Sequence, residues 1–284
     1  MLRNSFCHIP GISEQMEIKL WDYCVFSWEH LADADKAPIP PAKIKLLKKA
    51  INESQSALEK ADHLYFSQEL NNKQSWRIFP HFKHSVAYLD IETTGLKGKF
   101  DDITTIAIYD GKNIKCYVNG KNLNEFVQDI KKYDLLVTYN GKCFDVPFIE
   151  SYFNISLHTH SHIDLRYILH SLGIKGGLKG CERYFGISRQ ELEGMDGYFA
   201  ISLWNDYCRT QNPRTLETLL AYNVEDVINL ETLIHQAYNL KLRDIPFAIP
   251  KLTIPSKPKN PYTPDMQVVK KLLSFMDLRQ FYYR

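Results

Sequence analysis

Val86-Ala87-Tyr88-Leu89-Asp90-Ile91-Glu92-Thr93-Thr94-Gly95-Leu96 is the stretch around which this chain is organised. It opens as a buried strand, built from small, aromatic and branched residues with no charge. Two carboxylates then follow two positions apart. On a strand, i and i+2 point to one face, so Asp90 and Glu92 project together from the strand's end. Two unpaired carboxylates that close repel each other, and a divalent cation removes the cost. Hard oxygen donors with no His or Cys beside them fit Mg²⁺ or Mn²⁺ better than zinc. Thr93-Thr94-Gly95 supplies a turn, with Gly95 free to take a positive φ.

Around this stretch the chain divides into three parts. Residues 1–80 read as a helical N-terminal extension. His8-Ile9-Pro10-Gly11-Ile12-Ser13, followed by a periodic stretch, has the outline of a degenerate helix-hairpin-helix, a packing element or a DNA phosphate contact. A proline-broken segment at 37–41 precedes a helix expected from Ala42 to about Leu70. Residues 81–245 hold the strands and most helices. Ile103–Tyr109 and Ile114–Val118 are strands joined by an Asp110-Gly111 hairpin signal, and Leu135–Tyr139 is another. After residue 145 the pattern turns helical, at 147–153, 165–172, 178–185, 199–208 and 216–238. Strands first and helices later give α/β or α+β with a central mixed sheet. Residues 246–284 form a proline-rich tail, extended and then briefly amphipathic at 268–275.

The 284 residues carry a net charge of only +2, but it is unevenly spread. From 241 to 284 there are nine Lys/Arg against three Asp/Glu, a local +6 that leaves −4 on the remainder. A basic tail on a slightly acidic body fits a polyanionic partner, or is a solvated extension. No run approaches the roughly 18 apolar residues of a membrane span, and no secretory leader pattern opens the chain. A cytoplasmic location without membrane contact is the expectation. The six cysteines are scattered without a C-x-x-C pair, which points to reduced, mostly buried thiols.

Two further stretches carry carboxylates. In Tyr139-Asn140-Gly141-Lys142-Cys143-Phe144-Asp145, a strand ends in a turn and Asp145 begins a helix. Asp145 is either a cap or a ligand, with Asn140 and Phe144 beside it to position and stack a base. In Tyr222-Asn223-Val224-Glu225-Asp226, Tyr222 and Asp226 share a helix face. Gly176-Gly177-Leu178-Lys179 precedes a helix on which Lys179 and Arg183 form a phosphate clamp or a solvated face. His158, His160 and His162 alternate and offer a second metal position, and Asp164 reads as a helix cap.

Taken together, the three acidic stretches resemble the motifs of the DEDD 3′→5′ exonuclease superfamily on the RNase H-like fold. Leu89-Asp90-Ile91-Glu92-Thr93-Thr94-Gly95-Leu96 resembles the first motif. Tyr139-Asn140 through Asp145 resembles the second as used by proofreading domains of family B DNA polymerases. Tyr222-x-x-x-Asp226 resembles the third in its tyrosine (DEDDy) form; the histidine form needs a His where Ala221 stands. With Trp76-Arg77-Ile78-Phe79-Pro80 and Gly177-Leu178-Lys179, the chain is similar to stand-alone RNase H-like exonucleases of bacteria and archaea. The resemblance implies a five-stranded mixed sheet flanked by helices and a two-metal 3′→5′ exonuclease acting on single-stranded ends, DNA over RNA. It implies Asp90, Glu92, Asp145 and Asp226 as ligands to two Mg²⁺ or Mn²⁺ ions and Tyr222 as the residue orienting the water. Thr93, Leu96, Asn140, Phe144 and Lys179 would meet the nucleic acid. A binding module without turnover and a structure-selective endonuclease are the alternatives.

Overall fold

The computed structural model describes residues 1–95 and 101–282. An N-terminal layer comes first: α1 (Glu14–Asp22), α2 (Pro41–Glu59), α3 (His63–Glu69) and the short α4 (Phe79–Phe82), with 3₁₀ turns between. Ser13 caps α1 by accepting from Met16 N, so the Pro10-Gly11 turn ends in a capping serine. Its apolar neighbours Ile9 and Ile12 turn inward and pack into the core, while Pro10 and Gly11 stay exposed. The expected continuous helix from Ala42 to Leu70 is two helices. Ala61 takes a left-handed φ of 54°, and Asp62 then caps a new helix by accepting from Tyr65 N. Alanine is an excellent helix former, so the break is invisible to propensity; the aspartate that follows is its only local cue.

The sheet holds β1 (Val86–Thr93), β2 (Ile103–Tyr109), β3 (Ile114–Val118), β4 (Leu135–Thr138) and β5 (Ser161–Asp164), in the order β3-β2-β1-β4-β5. The first three are antiparallel, while β4 and β5 run parallel to β1. This is the mixed five-stranded sheet expected. The β2–β3 turn forms as anticipated, with Gly111 at φ 88° and Asp110 Oδ1 accepting from Lys112 N and Asn113 N. β5 lies within the part of the chain that reads as helical. It is four residues long, two of them polar and one a capping acid, too short to show an alternation.

Helices cover both faces: α5 (Phe126–Asp129), α6 (Asp145–Phe153), α7 (Leu165–Ser171), α8 (Gly177–Tyr184), α9 (Gly197–Thr210), α10 (Pro213–Lys241) and α11 (Met266–Tyr282). Alternation along β1 sorts its side chains. Ala87, Leu89 and Ile91 join a core with Phe126 and Ile149, while Val86 and Tyr88 join a second core with Val224, Val227 and Ile228 of α10. Asp90 and Glu92 continue the α10 side by the same period of two. The N-terminal layer packs into that second core, where Trp76 meets Tyr238 edge-on at 5.4 Å and Phe79 meets His235 at 5.1 Å.

The C-terminal segment lies along α10. Asn239 brackets the backbone of Leu252, Asn260 Nδ2 donates to Ala221 O, and Lys257 pairs with Glu225. Val268, Val269 and Leu272 are buried beside α9 and α10. The cysteines are all free, but only Cys181 is buried; Cys7 and Cys116 are half-buried, and Cys24, Cys143 and Cys208 are exposed, against the expectation of mostly buried thiols. Cysteine type alone does not reveal which helix face a residue occupies. Among the described residues, no helix is long and apolar enough to cross a membrane.

Candidate active site

β1 brings Asp90 and Glu92 to the foot of a cleft of about 650 Å³, and α10 brings Tyr222 and Asp226 to the same place. One carboxylate oxygen from each of Asp90, Glu92 and Asp226 lies within 4.8 Å of the others. The pairing register explains the approach: Asp90 stands opposite Ala107 and Glu92 opposite Thr105, small partners in β2, and a bulge follows at Glu92/Thr93. Asp145 lines the cleft but lies outside that close group. As the first residue of α6, it accepts from Ile91 N at 3.2 Å, which ties α6 to the central strand.

The electrostatics are unbalanced. Burial raises Asp90 and Glu92 well above the ordinary carboxylate range, and the charges of Asp226 and Asp145 raise them further. Burial pushes Asp145 up to about 7, against backbone hydrogen bonds that favour its ionised form. Asp226 is raised by burial despite the Arg189 guanidinium beside it. An all-oxygen donor set that resists ionisation in its own company is one a divalent cation completes. The residues therefore fit Mg²⁺ or Mn²⁺.

Several contacts fix these groups. Asn223 Nδ2 donates to Asp90 Oδ2 at 2.7 Å, and its own Oδ1 accepts from Thr105 Oγ1 at 3.0 Å. Lys179 Nζ donates to the Tyr222 hydroxyl at 3.0 Å and lies 5.0 Å from the centre of its ring. Lys179 is thus half-buried beside the tyrosine, while Arg183 is exposed. Burial and the charges of Asp226 and Glu92 hold the Tyr222 hydroxyl far above the ordinary phenol range, so it stays protonated.

The turn after β4 forms the opposite wall. Asn140 takes φ 67°, with its backbone N–H bonded to Asp164 Oδ1 at 2.7 Å and its side-chain oxygen held by Arg166 Nη1. Gly141 is required here, because a Cβ would lie 2.3 Å from Thr138 Oγ1. Asp164 also accepts from Lys142 N and Arg166 N and caps α7, the role expected of it. Half-buried Phe144 and buried Thr93 line the cleft, and Thr93 Oγ1 donates to Gly95 O. Gly95 does not adopt a positive φ; a Cβ there would lie 2.5 Å from Asp101 Oδ1, the far end of a flexible side chain that would have to shift. Leu96 lies outside the described residues. The histidines do not join a metal group: His160 bonds the carbonyls of Leu157 and Ile130, and His162 Nε2 meets Thr138 Oγ1 at 2.8 Å.

Reading motifs alone misses Asn223, Arg189, Arg166, His170 and Lys175. Asn223 sits inside the third stretch, and an asparagine on the buried side of a helix is a signal that could have found it. Arg166, His170 and Lys175 come from α7 and the turn before α8, and only the fold brings them to the cleft.

The sequence pattern of the RNase_H superfamily matches residues 87–238, just over half the chain. The chain is similar to the uncharacterized protein YprB of Bacillus subtilis (strain 168), with 29% identity over 173 residues, covering 53% of this chain and 41% of YprB. It thus spans well under half the length of that relative. Among solved structures it is similar to the family B DNA polymerase from the hyperthermophilic archaeon Pyrobaculum calidifontis. That match has a TM-score of 0.41 at 20% identity, over 56% of this chain and 24% of the polymerase.

Proposed function

The chain belongs to the RNase H superfamily, and on that premise we propose that it is a metal-dependent nuclease that shortens single-stranded nucleic acid from its 3′ end, DNA in preference to RNA. Family membership and the acidic group support nuclease chemistry. The observation that carries the finer reading is the convergence of Asp90, Glu92 and Asp226 within 4.8 Å at the foot of an open cleft, with Tyr222 one turn from Asp226.

Asp90, Glu92 and Asp226 would hold one Mg²⁺ or Mn²⁺ ion, and Asp145, with Asp90, a second. Bound divalent ions supply charge neutralisation at the scissile phosphate and an activated water near neutral pH. The chain's own residues do the rest. Asn223 fixes the Asp90 carboxylate, so its oxygens need not reorganise when substrate enters. Tyr222 stays a phenol, and because Lys179 already donates to its oxygen, its own proton is left to orient the attacking water. Arg166 and Lys175 place two cationic side chains beside the acidic foot, with His170 between them on the same wall, suited to the phosphates of the strand leading to the reacting end. Phe144 offers a ring for the terminal bases.

The test is incubation with 5′-labelled linear single-stranded DNA and RNA, and with circular and 3′-blocked DNA, each with Mg²⁺ or Mn²⁺ and in EDTA. The expected result is a metal-dependent ladder of shortened products from linear strands and none from circles. Cleavage of circles would assign an endonuclease. Salt-sensitive binding without turnover in any metal would assign a binding module.

A further inference from the structure

Arg189 reaches the acidic cleft from behind. It follows α8 in a tight turn and is only 3% exposed. Its Nε and Nη2 donate to Glu182 Oε2 and Oε1 at 2.6 and 2.7 Å, and the same Nη2 also contacts Asp226 Oδ1. Glu182 is itself held by Asn229 Nδ2 at 2.8 Å, from α10 one turn beyond Asp226. The guanidinium carbon lies 5.8 Å from the centre of the Tyr222 ring. One planar group therefore touches both residues of the third acidic stretch. The turn that carries it is pinned in its own right: Lys257 Nζ donates to Ser188 O at 3.1 Å while pairing with Glu225.

This arrangement is costly for a merely structural arginine. Its Nη1 is buried without a partner among the described residues, and leaving a buried donor unsatisfied costs stability. An ion pair serving packing alone is replaceable by apolar side chains of similar volume at little cost. What an apolar replacement cannot do is hold one oxygen of Asp226. A guanidinium fork clamped by Glu182 has a fixed plane, so its contact with Oδ1 sets the rotation of the Asp226 carboxylate and the direction of its other oxygen.

We propose that Arg189 is a positioning residue that orients Asp226 as a metal ligand, with Glu182 and Asn229 holding it in place. The inference rests on the reading of Asp90, Glu92 and Asp226 as a divalent-cation site. Partners of ligating groups affect metal affinity by about 10- to 100-fold, and that is the effect assigned to Arg189. Loss of orientation outweighs the relief of repulsion between the guanidinium and the cation, because Glu182 already neutralises that charge locally.

The experiment is Mn²⁺ titration of the full chain, without nucleic acid, followed by the EPR signal of free Mn²⁺. Two variants are compared with the parent: Arg189→Met combined with Glu182→Gln, which removes both charges, and Arg189→Lys, which keeps the charge but not the fork. Both should bind Mn²⁺ about 10- to 100-fold more weakly. In nuclease assays the half-saturating Mn²⁺ concentration should rise by the same factor, with the maximal rate recovering to within a few-fold at high Mn²⁺. If the double variant does not fold, Arg189→Lys alone decides. Unchanged or tighter Mn²⁺ binding in a folded variant overturns the inference while leaving the cation site standing. Failure of the parent to bind Mn²⁺ overturns the site itself, and the inference with it.

Discussion

The N-terminal layer and the cleft each hold a cluster of buried charge, and the two are built on opposite plans. In the N-terminal layer, Glu17 and Arg77 are 1% and 3% exposed. Glu17 Oε1 accepts from Phe6 N, Cys7 N and Arg77 Nη1, Oε2 accepts from Arg77 Nη2 at 2.7 Å, and Arg77 Nε donates to Gln74 Oε1. Acid and base match, and the lone pairs are used. In the cleft, Asp90, Glu92, Asp145 and Asp226 gather with too few cations among them, and their affinities for protons rise in consequence. Both clusters are largely buried, but Asp90 is half-buried at the foot of an open cleft. The first cluster is balanced by the fold itself, whereas the second has the donor set that, on the function proposed, a divalent cation would complete.

The largest expected effect breaks the second cluster. Asp90→Asn keeps the shape and the Asn223 neighbourhood but removes a ligand charge. Turnover should fall by about 10⁴-fold, roughly 5 kcal/mol of transition-state stabilisation, and Mn²⁺ binding should be lost. In EDTA the variant should melt above the parent, because one member of a repelling set is gone. A lower melting temperature in EDTA would show that the cleft is a settled structural network like its counterpart.

Breaking the first cluster should do the reverse. Arg77→Met strands the Glu17 carboxylate and should cost about 3–5 kcal/mol of stability, the penalty of an unpaired buried charge. Urea unfolding measures it. The folded fraction should bind Mn²⁺ as the parent does. A change in Mn²⁺ affinity at 10 °C, where the variant is folded by circular dichroism, would mean that the two clusters communicate.

Tyr222→Phe probes the cleft more gently. It keeps the ring against Lys179 and Arg189 and removes one oriented hydroxyl. Loss of a single positioned hydrogen bond is worth about 2–4 kcal/mol in the transition state, a rate reduction of about 30- to 1,000-fold. Mn²⁺ affinity and melting temperature should stay near the parent. Full activity in steady-state assays would show that the hydroxyl serves packing alone.

The two clusters were not equally legible in the sequence. Asp90, Glu92, Tyr222 and Asp226 announce themselves because strand and helix periods place them on common faces before any tertiary contact is known. Arg189 gives no such signal: it is a single basic residue in a turn, and its meaning depends on Glu182 seven residues earlier and Asp226 in another helix. Glu17 and Arg77 are separated by 60 positions, and nothing local marks either as buried. Four strands are readable from apolar runs. β5 is not, because Ser161 and His162 are polar residues bonded to neighbouring side chains, so no apolar run marks the strand. The C-terminal segment reads as a basic extension because its prolines and lysines dominate, whereas its docking is made by Asn239 and Asn260 on either side. Periodicity reports faces, and it is silent about which distant partner a polar side chain will meet.

The smallest effect sharpens the comparison most, because its sign differs between the two regions. Asp145 is raised from 3.8 to about 7 in the folded, metal-free chain. The folded state then binds more protons than the unfolded state between those values, so its contribution is complete below about pH 4 and is lost as pH rises towards 7. In the N-terminal layer, His8 is buried against Trp28, Tyr65 and Phe66, with Nε2 on Ser54, and burial lowers it from 6.5 to about 3. There the unfolded state binds more protons, so the contribution is complete above pH 6.5 and is lost as pH falls towards 3. Each group alone is bounded at about 1.4 kcal/mol per pH unit within its window. Urea unfolding in EDTA across pH 4.5 to 7 should therefore show Asp145→Asn shifting the slope of stability against pH upward and His8→Gln shifting it downward. Saturating Mn²⁺ should cancel the Asp145 contribution, since a cation holds the carboxylate ionised, and leave the His8 contribution as it was. Slopes that move in the same direction, or a His8 contribution that responds to Mn²⁺, would mean that the two buried clusters titrate as one.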